Sequence, residues 1–121
     1  MKYDCVRIMF MGENMEEVYN KLVRDRIPEI IEGNGEKPII RILDEAEYKT
    51  ELETKLNEEY HEVLGTTTSE ERIEELADML EIIDALAALE GKSLSDVVEV
   101  AKQKKLKRGG FQKRIFLERV D

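Results

Sequence analysis

The sequence predicts an all-α fold, a helical bundle of two long helices with shorter helices flanking them. Three observations carry that expectation. Charged residues make up 39% of the 121 and aromatics 6%, with no Trp and two Pro, a balance suited to amphipathic helix. Three times a capping residue is followed three positions on by an acid: Asp44 with Glu47, Thr68 with Glu71, and Ser93 with Asp96, the spacing of a capping box. Each segment opened in this way runs to a glycine, at Gly65, Gly91 and Gly109, where helices commonly stop.

In chain order, residues 1–18 form an N-terminal extension and residues 19–121 a single domain of ordinary size. Two readings of the extension stand: "CVRIMFM" pairs as a strand with the C-terminal "RIFLERV", or the extension is disordered. Asp25 is placed to cap a short helix through "RIPEIIE", with Pro28 tolerated in its first turn and Gly33 ending it. "KPIIRIL" is a connector, because Pro38 breaks helix and the apolar run after it is short. Two long helices then follow, to Gly65 and to Gly91, and a shorter third ends at Gly109 and Gly110.

The net charge of −9 conceals an asymmetry. "KQKKLKRGGFQKR", residues 102–114, holds seven bases and no acid, whereas residues 44–90 hold sixteen acids against three bases. Such a division favours self-association, or a ligand that needs both cations and phosphate-binding groups. The lone cysteine, Cys5, cannot form an internal disulfide, and no apolar run approaches the roughly 20 residues of a membrane span. The first eleven residues are interrupted by Asp4 and Arg7 and lack a small-residue cleavage site, so they make a poor signal peptide. The expected setting is the reducing cytoplasm, with no membrane partner.

The apolar spacing raises the question of function. On the first long helix the inward stripe reads Tyr48, Leu52, Leu56, Glu59, Val63, which puts a carboxylate at a core position. Glu62 lies one turn beyond Glu59, and Glu58 one turn before Glu62. The second long helix carries one stripe through Ile73, Leu76, Leu80, Ile83 and Ala87, and another through Glu75, Met79, Ile82, Leu86 and Leu89, with Asp78 beside it. An unpaired carboxylate out of water costs several kcal/mol, so a group of them on an inner face needs cations. Lys55 and Arg72 are the bases near in sequence, whereas hard divalent ions take several carboxylate oxygens, as metal sites inside helical bundles do. Mg²⁺ is the natural candidate, with Mn²⁺ a possible substitute. His61 has no Cys or second His to join it at a zinc site and reads as a surface residue.

Those residues carry a resemblance. Glu59-x-x-Glu62, followed after twelve residues by Glu75-x-x-Asp78, is similar to the ExxE and ExxD elements of the MazG-like all-α NTP pyrophosphohydrolase superfamily. "YNKLVRDRIPEII" and "KRGGF" resemble the phosphoribosyl-ATP pyrophosphohydrolase-like branch, and the matches together span about residues 19–116. The resemblance implies cleavage of an NTP, a dNTP or a related nucleotide between the α and β phosphates, giving the monophosphate and pyrophosphate. It implies Glu59, Glu62, Glu75 and Asp78 as Mg²⁺ ligands, with Glu58 as a further ligand or the base. It implies Lys21, Arg24, Arg26, Lys107 and Arg108 as phosphate-holding groups, arginine offering a fork of donors. Members of this kind are usually dimers or tetramers, so a homodimer or homotetramer is expected, and a bundle this thin needs a partner for its apolar second helix. Residues 1–18 have no counterpart in the family pattern, and no base-recognition motif stands out.

Two rival readings bracket this one. A non-catalytic module binding a metal-nucleotide complex for a regulatory purpose would not need all four acids together with both basic elements. Nucleic-acid binding through residues 102–114 is disfavoured, because the acidic remainder repels a phosphate backbone and Phe111 is the single aromatic there to stack on bases.

Overall fold

The computed structural model describes the backbone of residues 7–11 and 14–121, and side chains from Val18 onward. Four helices make the fold all-α: α1 (Ile27–Gly33), α2 (Glu45–Leu64), α3 (Ser69–Leu89) and α4 (Leu94–Arg108). Ahead of them β1 (Arg7–Met11) and β2 (Asn14–Val18) form an antiparallel two-stranded ribbon, with Arg7 opposite Val18 and Met11 opposite Asn14. Residues 7–11 therefore pair with their neighbours in the chain, not with "RIFLERV", which carries no strand. Closing a short loop costs far less entropy than bringing the two chain ends together.

The helix starts show which capping signals are reciprocal. At Ser93 both bonds form, the Asp96 N–H donating to the Ser93 hydroxyl at 3.1 Å and the Ser93 N–H to the Asp96 carboxylate at 2.9 Å. At Asp44 only half forms: the Glu47 N–H donates to Asp44 at 2.8 Å, but the Glu47 carboxylate is gripped by both Nη atoms of Arg41, at 2.8 and 3.3 Å. Thr68 accepts from the Glu71 N–H at 3.1 Å, while Glu71 reaches back to the N–H of Thr67. The cap of α1 falls at Arg26, with no side-chain bond, rather than at Asp25. Capping from Asp25 would require the N–H of residue 27 or 28; the Ile27 N–H donates instead to the Arg24 carbonyl at 3.0 Å, and Pro28 has none. Of the three glycine stops, Gly91 and Gly109 have φ of +71° and +83°, the left-handed region that favours glycine, whereas Gly65 does not.

The strongest packing is between α2 and α3, which turn back on each other through residues 65–68. Leu52, Ile82 and Ala87 are the buried apolar residues among those described, at 3%, 5% and 8% exposure. The two apolar stripes of α3 meet this seam differently: the one through Glu75, Met79, Ile82, Leu86 and Leu89 is buried or half-buried throughout, whereas the other is covered only at its end, at half-buried Ile83 and buried Ala87. On the other, Ile73, Leu76 and Leu80 stand out in solvent. α4 touches α3 but not α2, and Leu94, at its first turn, is its one half-buried residue. No helix among the described residues is long and apolar enough to cross a membrane.

Candidate metal centre

Two helical turns along α2 from Leu52, the same inward face presents Glu59, 5% exposed and the one buried charged residue among those described. The antiparallel run of α3 brings Glu75 to that level. Carboxylate oxygens of Glu59, Glu62 and Glu75 all lie within 4.8 Å of one another. This is an arrangement the isolated helices would resist, since three like charges at such a distance repel strongly in a medium poorer than water.

The cost is visible in protonation. Burial, a hydrogen bond shared with Glu75, and the charges of Glu62, Asp78 and Glu75 push the Glu59 carboxyl up to about 8. Removal from water disfavours the charged form, and neighbouring anions add to the effect. Glu59 Oε2 and Glu75 Oε2 are both buried with no hydrogen-bond donor. Buried polar atoms normally find partners, and two oxygens without a donor beside a three-carboxylate cluster could accept a cation. The donor set is all carboxylate oxygen, which suits a hard divalent ion such as Mg²⁺ or Mn²⁺ and not zinc. His61 is exposed, its ring tilted against Tyr60 at 5.3 Å.

The other acids border the trio. Asp78 is half-buried; it acts on Glu59 through its charge and is held at 2.8 Å by Arg24. Glu58, on the flank of α2, forms an ion pair at 2.7 Å with Lys21, whose side chain is only 13% exposed. Beside that pair lies a shallow cleft lined by Asn20, Thr54 and Lys55 as well. The basic N-terminal motif thus reaches the acidic site at two points, across 37 and 54 residues of chain. Helical spacing holds no signal for such pairs; only their occurrence together in one motif hints at them.

Not every basic candidate converges here. Arg26 bonds Glu29 of its own helix at 2.6 Å, and Arg72 donates to Thr66 at 3.2 Å. Lys107 and Arg108 sit exposed at the last turn of α4, which does not touch α2. Within one chain, then, Lys21 and Arg24 stand beside the carboxylates, while the "KRGGF" cations do not.

No protein-family model matches the chain, and no solved structure matches it. It is similar to an uncharacterized protein of Mycolicibacterium smegmatis, 44% identical over 54 residues, a match that covers 45% of this chain and 55% of that protein. The match thus spans about half the length of that relative.

Proposed function

We propose that the protein is a Mg²⁺-dependent nucleotide pyrophosphohydrolase, cleaving an NTP, a dNTP or a related nucleotide between the α and β phosphates. The observation that carries this reading is the cluster of Glu59, Glu62 and Glu75, with two buried carboxylate oxygens lacking donors, and with Lys21 and Arg24 fastened to its border. A carboxylate cluster bordered by cations already ion-paired to neighbouring acids offers groups of both signs for a metal-nucleotide complex.

Glu59, Glu62 and Glu75 would hold the ion, with Asp78 at the edge, and the ion supplies neutralisation of charge on the phosphoryl oxygens. Arg24 and Lys21 sit where they can orient the phosphate chain. Glu58, ion-paired with Lys21 on the flank of α2, would serve as a further ligand or as the base that takes a proton from the attacking water. Oxygen of that water bonds to the α phosphorus, the bond to the bridging oxygen breaks, and pyrophosphate leaves with the electron pair. Positioning and charge stabilisation account for most of such a reaction. Neither a Ser nor a Cys nucleophile is needed. The same proposal includes a cytoplasmic setting, a house-cleaning role against unwanted nucleotides, and a homodimer or homotetramer.

The remoteness of Lys107 and Arg108 from the carboxylates favours one second reading, a module that binds a metal-nucleotide complex without turning it over. Pyrophosphate release from a panel of NTPs, dNTPs, modified nucleotides and phosphoribosyl-ATP, with Mg²⁺ or with EDTA, separates the two. Release that requires Mg²⁺ and is lost in Glu59→Gln supports the enzyme; nucleotide binding without release supports the module.

A further inference from the structure

Among the exposed apolar surfaces of the described residues, two have opposite chemistry. On α3, Ile73, Leu76 and Leu80 follow helical spacing along the outward face and are 63%, 45% and 48% exposed. The neighbouring edge of the same helix is acidic, with Glu70, Glu74 and Glu81 exposed along it. At the C-terminal end the pattern is reversed in charge. Residues 102–114 carry seven bases and no acid, and among them and just beyond are Leu106, Phe111, Ile115 and Phe116, at 80%, 95%, 80% and 87% exposure.

Large apolar side chains this bare, beside charges of opposite sign, are features of contact surfaces. The chain does not bring the two together itself, since beyond Leu94 every residue of α4 and of the segment after it is exposed. We propose that residues 102–120 of one copy dock on the outward face of α3 of a second copy. The aromatic and aliphatic side chains cover Ile73, Leu76 and Leu80, and the lysines and arginines border the row of glutamates. A second copy is the occupant because the chain itself holds both halves of the contact in complementary charge. The exchange deepens the oligomer of the proposed function by naming its surface. It does not depend on the proposed reaction, so its test uses no nucleotide.

Cross-linking the full-length chain decides the matter. In a Cys5→Ser background, Leu76→Cys and Phe116→Cys are introduced together and treated with a short bis-maleimide. The expected product is a covalent dimer, at about twice the 14.1 kDa of the chain on a denaturing gel. A product linked only within one chain, or no product, overturns the proposal. Light scattering on unlabelled protein gives a second readout. Phe116→Asp and Leu76→Asp should each lower the native mass at least twofold with helix content unchanged by circular dichroism, and mixing the two variants should restore part of it. Because Phe116 lies outside the core, its loss of association cannot be assigned to unfolding. Wild-type protein that is monomeric, or variants that keep the wild-type mass, would equally sink the idea. Raising salt from about 0.1 M to about 1 M should weaken association, as the screening length falls from about 10 Å to about 3 Å.

Discussion

The seam between α2 and α3 has two levels built from the same parts. At one, Leu52 of α2 and Ile82 of α3 are 3% and 5% exposed. Two turns away, about 10 Å along the axes, Glu59 and Glu75 take the equivalent positions. The helices and the spacing are the same, and Glu59 is as buried as Leu52 while Glu75 is half-buried, yet the side chains are apolar in one case and ionisable in the other. The first level gains from leaving water; the second loses by it, and Glu59 answers by holding its proton up to about 8. Burial at the second level therefore serves something other than folding, because folding alone would be better served by leucine.

The contrast can be broken from the apolar side. Leu52→Ala should cost about 2–5 kcal/mol of stability, through lost burial and a cavity that two packed helices cannot close, read as a fall in the urea midpoint. From the other side, Glu59→Gln should leave the fold in place while lowering Mg²⁺-dependent pyrophosphate release at least about 100-fold, roughly 3 kcal/mol. Turnover within a few-fold of wild type would remove Glu59 from the chemistry.

Making the two levels alike is a sharper test. Glu59→Leu should stabilise the metal-free protein by about 1–4 kcal/mol, as apolar replacements of buried ionic groups often do, and should abolish activity. It should also remove a pH dependence. Because the folded pKa of Glu59 lies above its unfolded value of about 4.5, the native state binds the extra proton. Stability is then fully present below that unfolded value and is lost as pH rises through about 8. Thermal melts of the metal-free wild type should fall between pH 5 and pH 8.5; Mg²⁺ should flatten the decline, and Glu59→Leu should lack it.

The smallest effect on stability is expected at the border of the site. Arg24→Ala removes an ion pair with Asp78 in which the two side chains are 55% and 41% exposed, so it should change stability by less than about 1 kcal/mol. Its effect should instead be a raised KM for nucleotide. A large stability loss with unchanged KM would make Arg24 a structural residue.

Much of this was legible in the chain and some was not. Helix starts at Asp44, Thr68 and Ser93 could be read because capping is local, settled among residues three apart. Local signals failed where a third residue intervened, as when Arg41 took the Glu47 carboxylate from its box, or the Arg24 carbonyl took the Ile27 N–H that Asp25 would have needed. The inward position of Glu59 followed from helical period alone. Its grouping with Glu62 and Glu75 could be anticipated from paired spacings on two helices, since a short turn forces those helices antiparallel. The partners of Glu58 and Asp78 could not, because Lys21 and Arg24 arrive from a segment without a period, positioned only by how the chain packs.

By itself, then, the sequence determined four helices, where three of them begin, and which carboxylates lie on inner faces, all consequences of backbone geometry repeating every few residues. Only the tertiary structure decided how much of each stripe of α3 would be covered, that Ile73, Leu76 and Leu80 would be left in solvent, and which cations would stand beside the acids. Those outcomes depend on distances between residues far apart in the chain, and no local periodicity encodes them.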